Sequence, residues 1–598
     1  LASIPALRDY VRQLPGQLEA FGRPLATVFE ERDILDRGAD GPYEVGAADF
    51  FYNLEYYGVS PKAVIIGPML ENKVVYGNTT ANLASSLQAR IFEKKVEPTL
   101  TDKDKRDISR TTQRLIDKHF TKAKIMASAE RVGMLEKTKS NKWSEKRFED
   151  FLQKLLSQTE HDFSFKANIK AEPMQPGKAP RTVIDEGGEA QIKAGLVIAI
   201  VEDILFHAFP RSHIKYKSKK EAMSAGIEHL NQHVGQVVME GDGSAWDACC
   251  NALIRSLTEN LVLKQVTKVL LESGCPIGQE AWMIAHLKSC QNGKMKLRSG
   301  GGKRGYIDIF EIDAIRRSGH RGTSVLNFLM NLILSLTAIY ENPFGAGNEP
   351  DSNKPGGFLD GSTKAKKDRW GVMRAIRFMF EGDDSIYSLF PRLTPTQMAE
   401  VEAFWTRCGH RLKLFMRDGS AKEKCAEFTG WILPISSEGL IMKDYSGPDV
   451  LRGLSNSGIT VSREAIDAFQ HGDKQRFNQI AAASYLGYAE ECCFPSVRML
   501  YYSFAEHYGF VDGVTTLEHA SRNHRMVLCD DPSQPVYEPI VRSNFIADES
   551  EAKAMIHIGL VKDADQYCDW LDVAANLPVF GGQHLLRGVG LGPYTRSA

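Results

Sequence analysis

Two carboxylates stand side by side in Glu381-Gly382-Asp383-Asp384. Apolar runs flank them, Ala375 to Phe380 and Ser385 to Phe390, and the whole reads as strand, tight turn, strand. Adjacent carboxylates at a hairpin tip repel one another unless a cation joins them. Alone, such a turn says little, since exposed hairpin tips often carry these residues. A second apolar run, Val234 to Met239, leads into Glu240-Gly241-Asp242, and Asp247 follows in Asp242-Gly243-Ser244-Ala245-Trp246-Asp247. This reads as a buried strand ending in an acidic turn. Two strands that end in carboxylates can bring Asp242 and Asp383 to one sheet edge. Hard oxygen ligands there suit Mg2+ or Mn2+, ions that also take substrate phosphates. Two such ions about 4 Å apart can activate an attacking oxygen and stabilise a leaving one in an in-line displacement.

Between these carboxylates lies Ser318-Gly319-His320-Arg321-Gly322-Thr323-Ser324-Val325-Leu326-Asn327. Its glycines suit a loop that approaches a ligand closely. The helix that follows puts Thr323, Asn327 and Asn331 on one face. A polar stripe in so apolar a helix needs hydrogen-bond partners. It fits either a satisfied helix–helix contact or a row of groups facing a nucleotide sugar. Upstream, Lys170-Ala171-Glu172 and Lys178-Ala179-Pro180-Arg181 space cations closely before a β-branched run. Arg offers a planar fork and Lys a point charge, both suited to triphosphate oxygens. Taken alone, the same segment fits a solvated surface loop.

In order, these segments resemble the motifs of viral RNA-dependent RNA polymerases. The Lys170 to Arg181 segment is similar to motif F, and Asp242 to Asp247 to motif A. Ser318 to Asn327 is similar to motif B, and Glu381 to Ser385 to motif C. Cys408 to Lys413 resembles motif D, and Ala426 to Trp431 motif E. In style the set resembles positive-strand enzymes of the flavivirus, pestivirus and tombusvirus kind. Motif E lacks the cysteine common in some of those groups, and the interval between motifs B and C, with its polar 342–369 stretch, is long. The motifs span residues 166–431, under half the chain.

The resemblance implies an α+β right-handed polymerase fold, with fingers, an antiparallel palm sheet, a helical thumb, and fingertips closing on the thumb. The implied division is 1–233 N-terminal segment and fingers, 234–260 palm, 261–315 fingers insertion, 316–435 palm, and 436–598 thumb and tail. It assigns Asp242, Asp383 and Asp384 as ligands of two Mg2+ or Mn2+ ions. Asp247 and Asn327 would surround the incoming ribose 2′-hydroxyl, with Thr323 on the same face. Ser318 and Gly319 would lie against the template or the nascent pair. Lys170, Lys178 and Arg181 would hold the triphosphate. Lys413 would protonate the pyrophosphate, with Lys422 and Lys424 as rivals for that role. The implied partners are RNA template and product, nucleoside triphosphates and other viral replication proteins. The implied setting is the host cytoplasm, in a replication complex or virion, and the implied start of synthesis is primer-free. Two other classes stay open on the residues: a reverse transcriptase or other palm polymerase, and a non-catalytic viral RNA-binding protein. The first more often carries an aromatic residue near its paired aspartates, and the second has no use for the carboxylates.

The elements that must position these residues belong to a chain of 598 residues, 43% apolar and 25% charged, which excludes a wholly disordered or fibrous protein. Lys plus Arg number 74 and Asp plus Glu 75, a balance that does not exclude nucleic acid, because a binding channel needs only local charge. The basic clusters at 215–220 and 294–304 are candidates to line such a channel. Ten cysteines without a CxxC pair argue against a disulfide scaffold or a zinc ribbon, and fit a reducing compartment. The longest uncharged apolar run, Ser324 to Tyr340, is broken by Asn327, Asn331 and Ser335, so no transmembrane segment is expected. No signal peptide is expected either, since the first twenty residues lack an apolar core. The glycine-rich, partly apolar stretch 579–598 is expected to dock, either in a product channel or on the thumb.

Overall fold

Short gaps apart, the computed structural model describes residues 80–132, 164–274, 316–344, 366–508 and 549–576, with the segments 24–25, 63–67, 73–76, 295–299 and 309–312. The described chain mixes helices and sheets. Its centre is an antiparallel sheet of five strands: β1 (Val237–Ser244), β2 (Lys366–Lys367), β3 (Met373–Glu381), β4 (Asp384–Phe390) and β5 (Arg411–Arg417). They lie in the order β5-β1-β4-β3-β2.

β3 and β4 form the expected hairpin, with Glu381 opposite Asp384 and Gly382-Asp383 as its two-residue turn. Gly382 takes a φ of 65° there, the backbone that a type II′ turn asks of its first central residue. β1 departs from expectation. Rather than ending before Asp242 it continues through it, pairing on one side with β4 and on the other with β5. Gly241 permits this, because a Cβ there would come within 2.2 Å of Ser385 Oγ on β4.

The apolar helix Thr323–Ile339 is buried from Val325 onward and packs against β3. Four further helices surround it: Asp102–His119, Gly187–Ala208, Glu259–Glu272 and Pro395–Arg407. Leu326, Phe328, Leu329, Leu332 and Leu336 are fully sequestered in this core. Burying each such side chain contributes about 1.5–3 kcal/mol, so the helix is a fixed platform for the loop at its N-terminus.

A second sheet runs in the order Thr182–Asp185, Ser164–Ile169, Met295–Ser299, Ile309–Ile312. A bridge between Asp185 and Gly319 ties it to the loop that precedes the central helix. Beside the central sheet sits the hairpin β6 (Cys425–Phe428) and β7 (Trp431–Pro434). Its turn, Thr429-Gly430, has positive φ at both positions, 53° and 76°.

The C-terminal helices Lys474–Glu491, Pro495–His507, Glu549–His557 and Ala564–Asn576 form a separate apolar cluster. The N-terminal segment is stitched onto this region. Strand Ala63–Ile65 pairs with Ile459–Thr460, and the hydroxyls of Tyr485 and Tyr508 both donate to the Ile66 carbonyl. Among the described residues no helix is long and apolar enough to cross a membrane. The 579–598 stretch, most of 342–369 and most of the 294–304 cluster lie outside the described residues.

Candidate active site

The register of the central sheet gathers the carboxylates. Ser385 pairs with Gly241, so the Asp383-Asp384 turn lies at the end of the sheet where β1 carries Asp242. A Cβ on Gly243 would sit 3.7 Å from Asp383 Cβ. Asp242 and Asp383 are both exposed, while Asp384 is half-buried.

Desolvation comes first among the causes that raise the Asp383 carboxyl, and the charge of Asp242 adds to it. Asp384 is pushed up to about 7, by burial first and then by Asp383 and Asp242; a backbone hydrogen bond from Thr429 pulls the other way. Asp247 rises to about 6, through burial and then the charge of Asp383. Three carboxyls held above their ordinary range, Asp247, Asp383 and Asp384, form a donor set a divalent cation would relieve. All are hard oxygen donors, the type Mg2+ and Mn2+ prefer. Asp242, Asp383 and Asp384 could hold such ions, and the chemistry of the set fits them. Among the described residues, however, no three His, Cys, Asp or Glu side chains stand close enough to enclose a metal ion without rearrangement.

Arg181 brings positive charge to this corner. Its charge lowers both Asp383 and Asp247, and its side chain is more than half exposed. Glu172 bridges Lys170, at 2.6 Å, and Arg181, at 3.6 Å, while the Lys170 amide donates to the Arg181 carbonyl. Lys178 is exposed. Sequence reasoning missed what holds this segment. Arg90, on the turn Gln88–Phe92, donates from Nε and Nη2 to the carbonyl of Ala179 and from Nε to that of Pro180. Ser86 donates to Pro180 as well.

Ser318 and Gly319 are committed to the backbone of the same segment. The Ser318 hydroxyl donates to the Thr182 carbonyl at 3.0 Å and accepts from the Ile184 amide at 3.3 Å. The Gly319 amide donates to the Ile184 carbonyl, and a Cβ at Gly319 would meet that oxygen at 2.5 Å. The sequence reading places both residues against nucleic acid; their contacts in the structure join the loop to the strand after Arg181. Ser318 is nonetheless exposed on its other side.

The polar stripe of the central helix divides its work. Thr323 opens the helix, half-buried. Asn327 donates from Nδ2 to Asp247 Oδ1 at 3.4 Å, bringing together the pair singled out for the sugar. Asn331 donates to the Gly382 carbonyl at 3.5 Å, and Ser335 bonds the Asn331 amide oxygen and the Tyr387 hydroxyl. The lower half of the stripe is thus a contact that holds the carboxylate hairpin, while Asn327 reaches Asp247.

Lys413, exposed on β5, lies opposite Asp242. Two cations of the 215–220 cluster are engaged: Lys215 with Glu381 at 2.5 Å, and Lys219 with the Thr429 carbonyl at 2.8 Å. The cluster therefore braces the two turns as well as offering charge.

Beneath Asp247 and Asn327 lies a buried ionic chain that the motifs did not indicate. It runs from Arg316 to Glu259 to Arg255. A signal for it exists: Glu259 falls on the apolar face of its helix with Val262, Leu263 and Val266, where a charge demands a partner. Comparison with protein-family models and with curated proteins returns no match.

Proposed function

We propose that the protein is an RNA-directed RNA polymerase, with a right-hand fold whose palm is the central sheet. The observation that carries the reading is the β1–β4 register. It sets Asp242 beside Asp383 and Asp384, with Asp247 hydrogen-bonded to Asn327 alongside and the charge of Arg181 facing them.

In this reading the 3′-hydroxyl of the growing RNA attacks the α-phosphate of a nucleoside triphosphate. A phosphodiester bond forms, the bond to the bridging oxygen breaks, and pyrophosphate leaves. Divalent cations held by Asp242, Asp383 and Asp384 would supply charge stabilisation to the attacking and leaving oxygens. Arg181, with Lys170 and Lys178, binds the triphosphate and aligns it; such positioning and electrostatics do most of the work in phosphoryl transfer. Asp247 and Asn327 receive the ribose 2′-hydroxyl, the group that separates RNA from DNA precursors. The exposed ammonium of Lys413 lies on the same sheet as a proton donor for the leaving group.

The pairing of Asp247 with Asn327 favours ribonucleotide chemistry over the deoxyribonucleotide chemistry of a reverse transcriptase. The test is incubation of the purified chain with an RNA template, four ribonucleoside triphosphates and Mn2+, without primer and with primer. Template-length product is expected. Asp383→Asn should reduce it by about 10³-fold or more, equivalent to about 4 kcal/mol at the transition state. No product under either condition, or an Asp383→Asn variant as active as the parent, would sink the assignment.

A further inference from the structure

We propose that Arg316 is a positioning residue for sugar recognition: clamped by Glu259, it fixes the Asn327 amide so that its donor end faces Asp247. Through that it sets the preference for ribonucleotides over 2′-deoxyribonucleotides. The proposal rests on the polymerase reading above.

Arginine has only donors, so it accepts nothing from a neighbouring amide. Arg316 Nε donates to Asn327 Oδ1 at 2.8 Å. That bond consumes the oxygen end of the amide and turns Nδ2 toward Asp247 Oδ1. The flipped amide would aim Nδ2 at a guanidinium that cannot accept and would face Asp247 with a second acceptor. Arg316 also fixes Asp247 through the main chain, since its amide donates to the Asp247 carbonyl at 2.9 Å. One residue therefore holds both members of the sugar pair, one by side chain and the other by backbone.

The guanidinium is itself held. Glu259 takes Arg316 on both carboxylate oxygens and Arg255 Nε on one of them, at 2.9 Å. Arg316 and Arg255 are 2% exposed, Asn327 4% and Glu259 not at all, so solvent offers no substitute partners. The two guanidinium groups share the one Glu259 carboxylate. Arg316 is among the charges that favour the ionised form of Asp247. Asp247 then keeps acceptor lone pairs beyond the one that Asn327 occupies. A sugar hydroxyl placed there can donate to them, and a deoxy sugar leaves them unmet in a partly desolvated site.

The test compares kcat/KM for a ribonucleoside triphosphate with that for its 2′-deoxy analogue in the parent chain, Arg316→Lys, Glu259→Gln, Asn327→Ala and Arg316→Lys with Asn327→Ala. The ratio cancels the fraction of active protein, so a purely structural role would not move it. Lysine keeps the charge but loses the planar fork. Arg316→Lys and Asn327→Ala should each lower the ratio about tenfold, and the double variant no further. Glu259→Gln should lower it in the same direction, and carries the test should Arg316→Lys not accumulate as folded protein. A ratio within about twofold of the parent in both Arg316→Lys and Glu259→Gln, with Asn327→Ala impaired, overturns the proposal but leaves the sugar pair standing. An unchanged ratio in Asn327→Ala overturns both the sugar pair and the clamp. A parent chain that makes no polymer removes the polymerase reading itself, and the proposal falls with it.

Discussion

Lys413 lies directly opposite Asp242 across the β5–β1 ladder. Directly paired residues of antiparallel strands project to the same face, with Cβ atoms about 5 Å apart. In the proposed reaction this ammonium can therefore act as a charge beside the Asp242 carboxylate or as a proton donor to the leaving group. Arginine separates the roles, because it keeps the charge but does not give up its proton. Arg and Met at position 413 are both expected to lower kcat by about 10²-fold with little change in nucleotide KM. Single-turnover kinetics would check this, and near-full activity in Lys413→Arg would leave only the charge role.

The carboxylate corner predicts a pH dependence of metal binding. Asp384 sits at about 7 and Asp247 at about 6 without a cation, so protons compete with the ion as pH falls through that range. Mn2+ affinity measured by calorimetry should rise between pH 6 and 8 by about tenfold, with proton release that shows as a buffer-dependent enthalpy. Asp384→Asn should remove the part of that release centred near 7. The same shift has a consequence for the metal-free fold. A carboxyl raised above its unfolded value of about 3.9 disfavours the folded state progressively as pH climbs from about 4 to about 7. Equal affinity at pH 6 and pH 8 would contradict the expectation.

Asp104 predicts the opposite sign. Burial alone would raise it, but hydrogen bonds from Arg407 and Thr101 prevail and hold it at about 2. Arg407 grips both of its oxygens, at 2.9 and 3.0 Å, and so ties the helix Asp102–His119 to Pro395–Arg407, which leads into β5. Its stabilisation is complete above the unfolded pKa near 4 and is lost as pH falls toward 2. Asp104→Asn should cost on the order of 1 kcal/mol at pH 7, allowing for solvent screening of the partly exposed Arg407. Denaturant melts should show the gap closing by pH 2.

Local patterns carried the carboxylate hairpin. Apolar runs around Gly382 dictate two strands and a tight turn; the structure narrows that turn to Gly382-Asp383 between Met373–Glu381 and Asp384–Phe390. The extent of β1 was not legible, because Gly241 and Gly243 look like strand breakers until their cross-strand neighbours are known. The polar stripe of the central helix could be seen, but not its division of labour. Periodicity puts Asn327, Asn331 and Ser335 on one face and says nothing of which meets Asp247, the Gly382 carbonyl or Tyr387. The apolar face of its helix shows that Glu259 needs a partner but not that the partner is Arg316, 57 residues on, and the carbonyls that Arg90 grips lie about 90 residues from it.

The Lys170 to Arg181 segment, proposed above to hold the triphosphate, is expected to depend on Arg90 and Gly319, which bind its backbone and that of the strand after it. Arg90 grips it from one side through the carbonyls of Ala179 and Pro180, just ahead of Arg181. Gly319 closes on it from the other, where a methyl group would come within 2.5 Å of the Ile184 carbonyl. Arg181 faces Asp383 and Asp247 only while the strand beneath it keeps its place. Arg90→Ala frees the Ala179 carbonyl and leaves that of Pro180 to Ser86, so nucleotide binding should loosen before chemistry does. The expected result is a rise of about three- to tenfold in nucleotide KM with kcat nearly unchanged. Gly319→Ala pushes against backbone, which cannot swing aside as a side chain would, and should therefore affect KM and kcat together. An Arg90→Ala variant with a normal KM would show that the Arg90 contacts do not position Arg181, and a Gly319→Ala variant indistinguishable from the parent would show the same of the Gly319 contact.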